Sequence, residues 1–174
     1  FIYWEAMAVT SVFLIWARRS NAAYAAGMRY LIIQVTSGVL LLSGAILMAH
    51  DTGSVAFDKM TLGSLATWLI LIAFGIKCAF PLLHNWLSDA YPEATVTGTV
   101  FLSAFTTKCA VYVLARGFPG TDLLIYIGAA MALFPVFYAI IENDFRRLLA
   151  YALNQQLGFM AVSYTHLRAH ETVD

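Results

Sequence analysis

The chain has 174 residues, 61% of them hydrophobic and 11% charged, with ten basic and ten acidic side chains, a formal net charge of +0 and a mean hydropathy of +0.75. A soluble domain is about 45–50% apolar and about 25% charged, so this composition excludes a soluble globular fold, a disordered chain and, lacking any basic field for phosphates, a nucleic-acid binder. What remains is an all-α, polytopic transmembrane helix bundle embedded in the lipid bilayer, with room for about five to six spans of about 20 residues each.

Residues 1–17 read as an apolar helix interrupted only by Glu5. They open on Phe1 with no basic leader, which reads as a span cut at its start. The run RRSN at residues 18–21 ends it, and a second span covers residues 22–48, with Arg29 near its start. Ser37, Gly38, Ser43 and Gly44 give that span a small-residue face suited to close helix contact. A polar loop, HDTGSVAFDK, fills residues 50–59. The third apolar segment, residues 61–80, continues as PLLHNWLSDAYPEA. The fourth span covers residues 95–115 and stops at the breaker cluster RGFPG. The fifth covers residues 123–141, and Glu142, Asn143 and Asp144 then cap a last helix, FRRLLAYALNQQLGFMAV. These segments are long and continuously apolar, unlike the alternating strands of a membrane barrel. Residues 163–174, SYTHLRAHETVD, change composition abruptly and read as a non-native tail, leaving residues 1–162 as the transmembrane domain.

Lys/Arg bias in the short loops sets the sidedness. Arg18, Arg19, Arg29, Arg146 and Arg147 fall on one side, expected to be cytoplasmic, and Lys59 and Arg116 on the other.

Three charges stand where lipid should exclude them. Glu5 lies 13 residues before Arg18, about 20 Å from that end at about 1.5 Å per residue, and so near the midplane. Lys77 lies deep in the third span and Lys108 deep in the fourth. Each mid-membrane charge costs about 2.5–3.5 kcal/mol on insertion scales. A proton or ion pathway and structural pairing both account for them, whereas both lysines lie too many turns from an interface to snorkel easily. Pro81 lies four residues beyond Lys77 and cannot donate to its carbonyl. The helix is therefore expected to break between Lys77 and Pro81, with Gly75 adding freedom, as broken helices do at many transport sites. His84 is seven residues from Lys77, about two turns along the same helical arm and hence expected on the same face. It reads either as a proton carrier or as a hydrogen-bonded interfacial histidine. Cys78 and Cys109 have no CxxC spacing and read as packing residues rather than a disulfide or metal site. GxGxxG, Walker and HExxH motifs are absent, so no cofactor and no metal are expected on this chain.

The stretch GIKCAFPLLHNWLSDAYPEATVTGTVFLSAFTTKCAVYVLAR, residues 75–116, resembles the signature of the proton-conducting antiporter-like membrane subunits of respiratory complex I and of Mrp-type cation/proton antiporters. FIYWEAM is similar to that family's glutamate-bearing helix, and NDFRRLLAYALNQQLGFM to a later helix entry. The run from DAYPEATVTG to ENDFRRLLAY looks most like the D-type member of the Mrp antiporters. The resemblance implies a central fragment of a longer, non-catalytic transporter subunit in a bacterial inner (plasma) membrane. It places the family's proton-translocating positions on Glu5, Lys77, Lys108 and, by its FPxHxWLPDA stretch, His84. Ser88 stands where the family usually has proline and Ala152 where serine is common, and the first is expected to loosen the chain after the break. The implied function is proton translocation coupled to sodium or another monovalent cation, with other membrane subunits as partners. A proton-pumping subunit of NADH:quinone oxidoreductase or of a membrane-bound hydrogenase is the second reading, and a membrane scaffold without ion flux the third. The implied mechanism is electrostatic: burial disfavours the Lys77 ammonium, an approaching Glu5 favours it, and a departing Glu5 lets the proton pass through water to Lys108.

Overall fold

A computed structural model describes residues 1–170, with side chains described through residue 163. The expected tail at residues 163–174 thus lies almost wholly outside the described side chains. Among the described residues every regular element is helical: α1 (Ile2–Trp16), α2 (Asn21–Thr52), α3 (Leu65–Lys77), α4 (Asn85–Glu93), α5 (Val96–Phe101), a π-helical turn (Leu102–Thr106), α6 (Thr107–Gly117), α7 (Asp122–Ile141) and α8 (Phe145–His170). Among the described residues, three helical stretches are long and apolar enough to cross a membrane: Asn21–Thr52, Val96–Gly117 and Asp122–Ile141. Ile2–Trp16 and Leu65–Lys77 are apolar but shorter.

The polar signals decide where helices begin. Ser20, Ser64 and Thr95 each accept from a first-turn backbone N–H, of Ala23, Thr67 and Gly98 respectively. Ser64 and Thr67 form a reciprocal capping box, so α3 starts at Leu65 rather than at the Thr61 expected from hydropathy alone. Asp144 caps α8 as expected, accepting from Arg146 N at 2.8 Å. Apolar side chains face outward as well as inward: Tyr126, Leu133, Phe137, Ile140 and Ile141 on α7 are all exposed, the surface a lipid solvent requires.

Close contacts rest on small residues. A Cβ at Gly158 of α8 would come within 2.6 Å of Ala132 N and 2.7 Å of Gly128 O on α7, so only glycine admits that backbone approach. On α2 the small face is used unevenly. Ser37 donates to Ala73 O of α3 at 2.8 Å, whereas Ser43 turns back to Val39 O of its own helix.

The third span breaks where expected. Its carbonyls are satisfied by Phe80 N to Gly75 O at 2.9 Å and Ala79 N to Ile76 O at 3.2 Å, with Ala79 left-handed at φ 59. This is the Schellman closure of a helix C-terminus, followed at once by Pro81. Trp86 Nε1 also donates to Ile76 O, at 2.8 Å. Gly75 contributes space rather than freedom: a Cβ there would lie 2.5 Å from the ring of Phe80, which folds back over it. The chain resumes beyond the break as α4, which runs to Glu93 with Ala94 as its C-cap. Ser88 lies inside α4, where its hydroxyl donates to Asn85 O at 3.1 Å, so it does not loosen the chain.

Ala79 occupies a conformation that costs an L-residue about 1–2 kcal/mol. Ala79→Gly is therefore expected to stabilise the protein by about 1 kcal/mol, read as a raised thermal midpoint in detergent. A lowered midpoint would contradict this account of the break.

Candidate functional site

Lys77 is the last residue of α3 and is fully buried, at 0% exposure. Its Nζ donates to Trp4 O of α1 at 3.0 Å and lies 4.1 Å from the centroid of the Trp4 ring. Two features of one residue therefore face the ammonium: the carbonyl and the aromatic face of Trp4. Glu5, the next residue along α1, is half-buried and close enough to interact electrostatically with Lys77, but forms no direct ion pair with it. Its carboxylate rests against Gly38 of α2, where any Cβ would overlap it, and its Oε1 is buried without a hydrogen-bond partner.

Lys108 is half-buried, in the first turn of α6. α6 packs on α3, and Lys108 lies within electrostatic reach of Cys78, the residue after Lys77. The π-helical turn immediately precedes the helix of Lys108, and Tyr91 OH donates to its first carbonyl, Leu102 O, at 3.0 Å. A π turn widens the helix and redirects the residues that follow. Both cysteines are free, Cys78 buried and Cys109 partly exposed.

His84 needs a correction. It is not on one helical arm with Lys77, because the chain is non-helical between them and His84 sits at the N-terminal boundary of α4. Helical periodicity does not carry through a break with left-handed residues at Ala79 and Leu82, so seven residues are not two turns here. The His84 ring is buried, packs edge-on against Phe134 of α7 at 5.5 Å, and has no partner for Nδ1.

One end of the bundle collects the basic residues. Arg18 and Arg146 both donate to Pro92 O at the end of α4, at 2.7 and 2.8 Å. Arg18 also pairs with Glu93 at 3.3 Å, and Arg29 grips Asp89 through two bonds of 2.7 and 2.9 Å. Arg116 lies 5.5 Å from the ring of Phe57, and Gly117 O accepts from Met60 N, beside Lys59, so Lys59 and Arg116 share the opposite end. The expected separation of basic loops is thus present. Sequence reasoning missed Trp4, Gln34 and the Ser11–Tyr30 hydroxyl pair, whose oxygens are 2.7 Å apart. Gln34 was detectable as an amide in an apolar run, but the tryptophan's backbone role had no sequence signal.

The model of the family described as NADH:quinone oxidoreductase/Mrp antiporter, transmembrane, matches residues 1–170. The chain belongs to this family. It is 29% identical over 180 residues to hydrogenase-4 component B of Escherichia coli, covering 93% of this chain and 27% of that protein. It is 30% identical over 166 residues to NADH-ubiquinone oxidoreductase chain 5 of Chlamydomonas reinhardtii, covering 92% and 30%. Its fold superposes on a chain of the Mrp complex from a Dietzia species with a TM-score of 0.85 at 27% identity, covering 94% of this chain and 34% of the other. The chain thus spans roughly a quarter to a third of the length of the relatives it matches. Family and apolar helices together make it an integral membrane protein.

The seat of Glu5 is testable by a double-mutant cycle. Gly38→Ala alone is expected to destabilise the protein, and Glu5→Ala in the same chain to relieve most of that loss. The coupling should be about 1–3 kcal/mol, measured by thermal unfolding in detergent. Additive effects would show that the two residues do not touch.

Proposed function

We propose that this chain carries a proton-translocating half-site of a multisubunit monovalent cation/proton antiporter, of the D type, in a bacterial inner membrane with its arginine-bearing end in the cytoplasm. The observation that carries the reading is Lys77: a fully buried ammonium held at a broken helix end by Trp4, with Glu5 beside it but unpaired. A merely structural lysine is expected to be locked into a direct ion pair. Glu5 modulates the charge on Lys77, Lys108 is the next carrier, and His84 serves the α4 side. Two unit charges about 4 Å apart at an effective dielectric near 20 interact by roughly 4 kcal/mol. A pair set further apart interacts less, and a small movement changes that energy enough to move a proton. Gly75 and Pro81 act through the break that presents Lys77. Other membrane subunits complete the path and select the cation, and no cofactor is assigned to this chain. The relatives named for hydrogenase and NADH oxidoreductase support a second reading, in which the same half-site pumps protons in a respiratory complex.

In the assembled complex, Lys77→Ala is expected to abolish most proton-coupled transport while leaving assembly largely intact, because alanine suits both helix and lipid. Lys77→Arg should fail too, since arginine keeps its proton at any accessible pH. Cation-driven pH change in everted vesicles, with subunit levels checked by blot, reads both. Near-normal exchange by Lys77→Arg would make Lys77 a fixed charge. Near-normal exchange by Lys77→Ala would favour the scaffold reading.

A further inference from the structure

The π-helical turn, Leu102–Thr106, ends directly before Thr107 and Lys108. In an α-helix each N–H bonds the carbonyl four residues back, and in a π turn the carbonyl five back. One carbonyl is therefore passed over where the π turn returns to α-helix. Inside lipid no water can take it, so another group of the protein must. Here the first two carbonyls of the turn are both taken by hydroxyls. Tyr91 OH donates to Leu102 O at 3.0 Å, and Thr107 Oγ1 donates to Ser103 O at 3.2 Å. The two donors stand side by side, the Tyr91 phenol within hydrogen-bonding reach of Thr107, and both residues are buried.

Tyr91 comes from another helix. It stands near the end of α4, the arm beyond the break, and its ring packs edge-on against Trp86 at 5.9 Å. Trp86 in turn donates to Ile76 O, the carbonyl before Lys77, at 2.8 Å. The Tyr91 carbonyl accepts from Thr99 of α5 at 2.9 Å, so this one residue is bound to the neighbouring span both before and within the turn. A continuous chain of contacts thus runs from the broken end of α3 through Trp86 and Tyr91 to the turn that precedes Lys108. Closing that turn to α-helix would rotate everything after it by about 100° relative to everything before it. Lys108 would then leave the helix in another direction and lose its present approach to Cys78, the residue after Lys77.

We propose that Tyr91 is a positioning residue for Lys108: its phenol, together with Thr107, holds the π turn open, and the open turn aims the Lys108 side chain toward the end of α3. This rests on the proton-translocation reading above, in which Lys108 is the next carrier. Tyr91 itself neither gains nor loses a proton. It acts through the shape of the span that bears the lysine.

Tyr91→Phe keeps the ring and its packing on Trp86 and removes only the donor. In the assembled complex it should lower proton-coupled transport about tenfold, the equivalent of one buried carbonyl left unpaired, at unchanged subunit levels. Deleting Ala104, an exposed residue inside the turn, returns the span to continuous α-helix with both flanks facing as before. The deletion alone should retain transport, and no carbonyl then needs the phenol. In that background Tyr91→Phe should change transport by less than about twofold. A phenol needed only for packing would cost the same in both backgrounds. Cys109, next to Lys108 and partly exposed, reports the direction of the helix independently of transport. Its rate of labelling by N-ethylmaleimide, read by peptide mass spectrometry, should change in Tyr91→Phe and return to the parent rate when Ala104 is also deleted. If the deletion does not assemble, the Cys109 rate in Tyr91→Phe decides alone. Normal transport by Tyr91→Phe, an equal loss with and without Ala104, or an unchanged Cys109 rate would each overturn the proposal. If Tyr91→Phe fails to assemble, Thr107→Val removes the other hydroxyl and keeps the branched shape. It should give a similar loss of about tenfold, and normal transport there overturns the proposal equally. Transport surviving Lys108→Ala would sink Lys108 as a carrier, whereas a dead Lys108→Ala beside a normal Tyr91→Phe removes only the positioning role.

Discussion

One ammonium group, buried at the broken end of a helix, imposes most of the order seen around it. A charge removed from water costs several kcal/mol even after relaxation, and Lys77 has no exposed surface at all. The compensation comes from geometry. α3 ends at Lys77, which puts the residue in the last helical turn, where a cation is favoured. α1 must then stand where the Trp4 carbonyl and ring both reach it. That register places Glu5 at α2, and Gly38 is small because the carboxylate occupies the space a side chain would take. A cation over a desolvated tryptophan contributes about 2 kcal/mol, and the carbonyl bond adds a charge-assisted term. Neither replaces the hydration of an ion, which is why the whole arrangement, rather than one contact, keeps the lysine in place.

The other side of the break is held differently. α4 is short and ends with free carbonyls, and these are taken by arginines from two separate segments: Arg18 after α1 and Arg146 at the start of α8 share Pro92 O. Arg29 of α2 holds Asp89. α4 is thus pinned at the basic end of the bundle, whereas α3 is anchored at the opposite end near its Ser64 cap. Between them lie two left-handed residues, Ala79 and Leu82. Strained backbone of this kind persists where surrounding structure over-determines it.

The parts of this arrangement that were legible in sequence are those in which one residue contradicts its surroundings. Lys77, Lys108 and Glu5 stand out because each interrupts an apolar run, and Pro81 because it removes a donor that a helix needs. The basic loops reveal the sidedness for the same reason. Counting residues from Lys77 misplaces His84, because 3.6-residue periodicity means nothing beyond the last hydrogen bond of α3. Hydropathy alone misplaces the start of α3, because it ignores the Ser64–Thr67 capping box. The π-helical turn has no local signature; the phenol of Tyr91, from another helix, satisfies its first carbonyl. Trp4 holds Lys77 through a backbone atom every residue possesses, so only the three-dimensional register assigns it that role.

Glu5 and Lys77 lie near one another without touching, and this spacing suits a switch better than contact does. In a direct pair each charge fixes the other, and separating them leaves two uncompensated ions at a cost of about 3–5 kcal/mol. Held apart, the Lys77 side chain keeps its seat on Trp4 whatever the state of the carboxyl, while its charge stays open to adjustment. On the function proposed above, Glu5 is a modulator whose influence falls with distance, and protonating it removes that influence without dismantling the Lys77 site. The seat at Gly38 keeps the carboxylate from closing the gap, because its position is set by contact with α2 rather than by attraction to the lysine. The bundle therefore buries the Lys77 charge against Trp4, and the proposed function gives the separate task of tuning it to Glu5, whose Oε1 has no hydrogen-bond partner.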